Sequence, residues 1–179
     1  VSGKCHINRG GEQRLSALTQ IELQGILDQV VCDVTQRICG LPLLKQSGTL
    51  SSDVCTVQTA FEGGYEGTII LCADTPLLFR LTRLFLQEES VNAQDVEDFT
   101  KEYLNIICGQ VVGKLFQTSR CTCRFHIPIF STGGHCIESW SPHHSVLHYS
   151  NPCNERVQLI HQLSFVPISD GLTSMSTKG

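Results

Sequence analysis

The sequence lacks the features that mark several large classes of protein. Its 13 lysines and arginines are outnumbered by 17 aspartates and glutamates and form no basic cluster. A surface for nucleic acid or for an anionic membrane is therefore not expected. The best apolar stretch, residues 68–72, has the length of a strand, so no membrane-spanning segment is predicted. The N-terminus has no apolar signal-peptide core, and a cytoplasmic protein is expected.

Motifs of common enzyme and metal sites are also missing. The chain has no Gly-x-Ser-x-Gly turn for a serine nucleophile and no glycine-rich phosphate loop. Histidines and cysteines are frequent between residues 121 and 153, but no two pairs have zinc-ligand spacing. His144 and His148 would share a metal ion only on a helix, whereas this segment reads as a strand. The sequence therefore predicts that the chain itself holds no metal.

The ten cysteines are the most unusual part of the composition. Four of them directly follow apolar residues: Cys32, Cys39, Cys72 and Cys108. A thiol in such a position behaves as a small buried hydrophobic group. A reduced protein with inert thiols is favoured, while disulfides, or a metal- or redox-sensing module built on the cysteines, stay as the alternative.

The pattern of apolar residues predicts three helices and a set of strands. The helices are expected at 16–39, capped by Ser16, at 77–86 and at 92–117. The strands are expected at 54–61 and 68–73, which form a hairpin, and at 120–130, 136–140, 145–149 and 155–167, with a loop at 45–52 and a turn at 62–64. Residues 1–12 read as a flexible arm and residues 170–179 as a loose tail. The fold class is α/β or α+β, with helices packed on a largely antiparallel sheet.

One helix carries a row of polar residues opposite its apolar side. Asn92 caps this third helix together with Asp95. At about 100° per residue, four residues then fall on one stripe: Asp98, Glu102, Asn105 and Gly109. Val112 and Phe116 continue the same stripe. A carboxylate and a carboxamide therefore project from the helix together, beside a glycine that leaves room for a partner.

The spacing Asp98-x3-Glu102-x2-Asn105-x22-Pro128 resembles the active-site signature of the CheC/CheX/FliY phosphatases. These proteins act on CheY-type response regulators in bacterial chemotaxis. The short chain and the single helix with this pair are most similar to CheX, which implies a CheX-like phosphatase domain over residues 13–169. The resemblance also implies that the sheet pairs with that of a second copy of the chain.

The resemblance assigns a role to each residue of the stripe. Asn105 would orient the water that attacks the aspartyl phosphate, and Glu102 would bind the active-site lysine of the regulator. Gly109 would allow close approach of the two backbones, and Val112 and Phe116 would pack on the partner. Asp98 and Pro128 would have supporting roles. Mg²⁺ is expected on the regulator, so this chain needs no cofactor of its own.

Simpler interpretations stay open at this stage. Polar residues on a helix are usually only solvated, and Asp98 near the helix start favours the helix dipole. Gly109 would also suit tight packing of the helix on the sheet, and Pro128 would suit the end of an edge strand. The first helix is a weak repeat of the third, with Gly25 and Asp28 in place of the polar pair. A non-catalytic adaptor that binds a regulator or a flagellar component is the alternative function.

Overall fold

The computed structural model describes residues 20–133 and 144–163. The helices of these residues are α1 (Gln20–Cys39), α2 (Thr75–Leu86) and α3 (Ala93–Ser119). Their strands are β1 (Leu44–Lys45), β2 (Val54–Gly63), β3 (Gly67–Asp74), β4 (Cys123–Phe125), β5 (Ile129–Thr132), β6 (His144–Ser150) and β7 (Arg156–Leu163). No helix in this part of the chain is long and apolar enough to cross a bilayer.

All strands of the described residues join one antiparallel sheet. Their order is β1-β6-β7-β3-β2-β4, and β5 pairs with β2 beside β4. The β2–β3 hairpin pairs Val54 with Asp74 at one end and Phe61 with Gly67 at the other. The predicted fold class, helices on a largely antiparallel sheet, is confirmed.

The main core lies between the helices and one face of the sheet. Inward residues of the strands, such as Val57 and Leu159, share it with Leu27 of α1, Leu78 of α2 and Leu104 of α3. Successive residues of a strand point to opposite faces, so the other face needs its own cover. There a small cluster of Ile70, Cys72 and Ile160 packs against Leu50 and Val146.

Helix α3 begins and ends as its local sequence dictates. The Asn92 side chain accepts hydrogen bonds from the backbone N–H groups of Gln94 and Asp95, at 2.8 and 3.1 Å. The Asp95 carboxylate in turn accepts from the Asn92 N–H at 2.8 Å, which completes a capping box. The helix ends at Ser119, and the next residue, Arg120, has a left-handed backbone (φ 56°) and donates its N–H to the Phe116 carbonyl.

The segment expected as one strand at 120–130 is two short strands. Phe125 of β4 pairs with Phe61, and Ile129 of β5 pairs with Gln58. Between these two pairs, the three residues 126–128 lie opposite only two residues of β2, 59 and 60. This is a β-bulge: the His126 N–H still donates to the Ala60 carbonyl at 3.0 Å, and regular pairing resumes at Ile129. Pro128 has no backbone N–H to donate, so an unpaired position suits it.

Smaller differences concern the ends of elements. Lys45, expected in a loop, belongs to the two-residue strand β1, and residues 62 and 63, expected in a turn, extend β2. Helix α1 ends at Cys39 as predicted, and Gly40 follows with φ +65°. The arm at 1–12, the Ser16 cap, the strand at 136–140 and the tail from 170 all lie outside the described residues.

Candidate functional site

Helix α3 is anchored to both of the other described helices on its buried side. The Tyr103 hydroxyl and the Thr35 Oγ1 of α1 share a buried hydrogen bond of 2.5 Å. The Phe99 ring packs on Phe85 of α2, with 5.2 Å between the ring centroids. Burial raises the pKa of the Tyr103 hydroxyl, so this group stays neutral in the fold. These contacts hold α3 in a fixed rotation, which determines the face that it presents to solvent.

The polar stripe predicted from the sequence lies on the open face of α3. Asp98, Glu102, Gly109 and Phe116 are exposed, and Asn105 is half-buried. Phe99, Tyr103 and Leu104, which lie between these positions in the sequence, are buried on the opposite side of the helix. The structure therefore brings the predicted site residues of α3 together on one accessible surface.

Glu102 and Asn105 contact each other at the centre of this surface. The Asn105 Nδ2 donates a hydrogen bond to Glu102 Oε2 at 3.4 Å, a long and weak contact. In this orientation the amide nitrogen faces Glu102, and the amide oxygen is directed away from it as an acceptor. The carboxylate keeps lone pairs for a second donor. The pair can therefore accept a hydrogen bond at Asn105 and bind a cation at Glu102.

Gly109 lies one helical turn beyond Asn105, and internal packing does not require it. A Cβ placed on Gly109 meets no atom within 4 Å, apart from the local helix backbone. Tight packing of the helix on the sheet is therefore the wrong explanation for this glycine. Gly113, one turn further along α3, is equally open. A glycine inside a helix lowers its stability by roughly 0.5–1 kcal/mol relative to alanine. No packing contact within the described fold requires a glycine at position 109.

Asp98 and Pro128 differ in accessibility. Asp98 is exposed and accepts a hydrogen bond from Gln94 Nε2 at 3.0 Å, one turn earlier in the helix. Pro128 is buried at the bulge between β4 and β5. Next to it, the Thr59 hydroxyl donates to the His126 carbonyl at 2.6 Å. Pro128 is therefore enclosed within the fold beside α3, whereas Asp98 is available at the surface.

The C-terminal half of the stripe is apolar. Val112 is partly buried against the core, and Phe116 keeps 45% of its surface exposed. The Arg120 guanidinium lies 5.5 Å from the centroid of the Phe116 ring, as in a cation–π contact. The surface therefore changes from polar near the start of the stripe to apolar near its end.

The first helix does not offer a second site of this kind. Asp28 occupies the position that corresponds to Asn105 in the weak repeat. Its carboxylate accepts a hydrogen bond from the Tyr149 hydroxyl at 2.8 Å and pairs with Lys45 at 3.1 Å. Burial, with the Asp28 carboxylate as a further cause, raises the pKa of Tyr149. The side chain of Asp28 is thus occupied within the fold.

The cysteines and histidines form no metal cluster within residues 20–133 and 144–163, where no three potential ligands converge. His144 and His148 lie on strand β6, four residues and roughly 13 Å apart, which is too far to share an ion. Burial raises the pKa of Cys39 to about 12 and that of Cys123 to about 11, so these thiols stay protonated. His135, Cys136 and His143 lie outside the described residues.

One residue beside the pair was not singled out from the sequence. Lys101 precedes Asn105 by one turn, and its Nζ pairs with Glu97 Oε1 at 2.5 Å. The signal in the sequence is that Lys101 is the only basic residue between Asn92 and Asn105. It places a positive charge at the edge of an otherwise acidic surface.

Comparison with known proteins gives consistent results. The family model of the chemotaxis phosphatase CheX matches residues 55–147. The crystal structure of CheX from Vibrio vulnificus is similar at 18% identity and a TM-score of 0.68, over 82% of this chain and 99% of that one. CheX in the CheX-CheY-BeF3-Mg complex from Borrelia burgdorferi is 17% identical, with a TM-score of 0.66, over 80% of this chain and 99% of that one. FliY from Thermotoga maritima is 13% identical, with a TM-score of 0.60, over 83% and 92%. No curated protein sequence matches the chain.

Proposed function

Because the chain belongs to the CheX family of chemotaxis phosphatases, we propose that it hydrolyses the aspartyl phosphate of a CheY-like response regulator. The observation that carries this proposal is the contact between the exposed Glu102 and the half-buried Asn105 at the centre of the open face of α3. The regulator supplies the phosphoryl group and its own Mg²⁺, and this chain supplies the groups that arrange the attack.

Asn105 orients the attacking water. Its amide oxygen accepts a hydrogen bond from the water and directs the water oxygen at phosphorus, opposite the aspartyl oxygen. The new P–O bond forms as the bond to the aspartyl oxygen breaks, which releases the carboxylate and inorganic phosphate. Position and electrostatics control phosphoryl transfer, so one amide in the right place has a large effect on rate. The contact with Glu102 limits rotation of the Asn105 amide.

Glu102 docks the helix on the regulator. Its exposed carboxylate pairs with the active-site lysine of the regulator, in a charge-assisted hydrogen bond. This contact sets the register of α3 over the phosphate, because Asn105 lies less than one turn away on the same stripe.

Gly109 lets the two backbones approach, and Phe116 packs on the partner beyond it. Asp98 supports the start of the docking surface, and Pro128 holds the strand beside it.

The proposal is tested by phosphate release from a phosphorylated CheY-like protein in Mg²⁺, with and without the chain. Asn105→Ala should lower the accelerated rate by roughly a hundredfold or more, because the water loses the group that directs it. Gln110→Ala, an exposed amide on the same helix away from the stripe, is the matched control and should keep the wild-type rate.

Two outcomes would contradict the proposal. A wild-type rate in Asn105→Ala would remove this residue from the mechanism. Binding of regulators from the same organism without faster hydrolysis would support the adaptor function, with Glu102 and Asn105 as a docking face only.

The chain also pairs with a second copy, in our proposal, along the edge formed by β4 and β5. Within the described part of the sheet this edge has no neighbouring strand. Ile127 and Ile129 on it are 87% and 66% exposed, the largest values among the large hydrophobic residues of the described strands and their connections. An open edge with apolar side chains is a template for strand pairing between copies.

A further inference from the structure

The face of α3 that presents Asn105 is strongly acidic. Its N-terminal half carries four carboxylates: Asp95, Glu97, Asp98 and Glu102. The ammonium of Lys101 is the single positive charge between Asn92 and Asn105, and it pairs with Glu97 at 2.5 Å. The Lys101 and Glu97 side chains are only 34% and 35% exposed, so the pair is held against the protein surface.

This charge distribution creates a difficulty for the proposed reaction. An aspartyl phosphate is anionic, and Glu102 and Asp98 repel it as it approaches Asn105. In the proposed complex, Glu102 also draws the active-site lysine of the regulator toward itself. Pairing with Glu102 then weakens the electrostatic interaction of that lysine with the phosphoryl oxygens. A cation on α3 itself would offset both effects.

Lys101 is within reach of the place where the phosphoryl group must lie. Side chains four residues apart on a helix have Cβ atoms about 6 Å apart, so Lys101 and Asn105 are neighbours on one face. A water on the Asn105 oxygen lies about 3 Å from it, and phosphorus lies about 3 Å beyond the water. A lysine stem of four carbons can cover this distance once its ammonium leaves Glu97.

We propose that Lys101 binds the phosphoryl group of the regulator, and this inference rests on the proposed function. On docking, the ammonium moves from Glu97 to a non-bridging oxygen of the aspartyl phosphate. In the free protein, Glu97 keeps Lys101 beside Asn105. The ion pair therefore makes the site selective, because only a phosphorylated regulator supplies the oxygen that replaces Glu97.

The test measures binding to a CheY-like regulator in Mg²⁺, with and without beryllofluoride as the phosphoryl analogue. Lys101→Met keeps the apolar stem and removes the charge. We expect its Kd for the beryllofluoride form to rise roughly tenfold, as for loss of one charge-assisted hydrogen bond, and its Kd for the unmodified form to stay unchanged. Lys114→Met on the same helix is the matched control and should change neither Kd. Thermal unfolding confirms that each variant is folded.

Glu97→Gln separates the exchange of partners from a structural role. It frees Lys101 and should tighten binding of the beryllofluoride form about twofold to threefold, because no ion pair has to break. Weaker binding in Glu97→Gln, equal weakening of both regulator forms in Lys101→Met, or no change in Lys101→Met would each overturn the inference. Because binding is read without hydrolysis, a wild-type chain that binds but does not speed phosphate release would refute only the phosphatase. A wild-type chain that binds neither form would refute both.

Discussion

Gly109 offers a single perturbation that should raise stability and lower function. In Gly109→Ala, the new methyl group meets no atom within 4 Å, so no strain offsets the gain in helix propensity. The expected gain is about 0.5–1 kcal/mol in the free energy of unfolding, which shifts Tm upward by roughly 1–4 °C for a chain of this size. Chemical unfolding followed by circular dichroism measures it.

The same methyl group should weaken the complex with the regulator. If the partner backbone approaches α3 at Gly109, a Cβ there must push it away and loosen the contact between the two proteins. The KM for the phosphorylated regulator should therefore rise by roughly tenfold, because binding is lost in the ground state as well as in the transition state. Gly113→Ala is the matched control, because Gly113 is equally open on the same helix. It should gain the same stability and keep the wild-type KM.

Three results would contradict the roles given to Gly109. A loss of stability in Gly109→Ala would show that the space around this residue is not open. A gain in stability with an unchanged KM would show that the partner does not approach the helix backbone here. An equal rise in KM for both glycine variants would place the contact further along α3.

Two further predictions concern the sheet. Ile129→Lys on the β4–β5 edge should convert a dimer to a monomer in light scattering, because a charge blocks strand pairing there; a wild-type chain that is already monomeric would refute the dimer. Burial lowers the pKa of His161 to about 4, from about 6.5 in an unfolded chain. The unfolded chain therefore binds a proton that the fold excludes, and the stability present above pH 6.5 is lost, by up to about 3 kcal/mol, as pH falls to 4. His161→Gln should flatten this slope, and an equally steep slope in the variant would assign it to other groups.

The polar stripe of α3 was predictable from the sequence because it is local. A helix of 3.6 residues per turn brings Asp98, Glu102 and Asn105 to one face whatever surrounds it. The Asn92 cap needs only the next three residues. The exposed side of α3 was also predictable, because the large side chains of Phe99 and Tyr103 were expected to be buried on the opposite side. The roles of Glu102 and Asn105 in catalysis stay predictions, which the mutants above test.

Only the tertiary structure decided features that depend on pairing between distant segments. Pro128 is a local signal for the end of a strand, but that the chain continues along β2 after a bulge follows only from the pairing of β4 and β5 with β2. Asp28 is occupied by Tyr149, which lies 121 positions later in the chain. That a Cβ on Gly109 would meet no atom within 4 Å follows only from the positions of the surrounding elements in the fold. Local periodicity determines which face a helix offers, whereas long-range packing determines what that face meets.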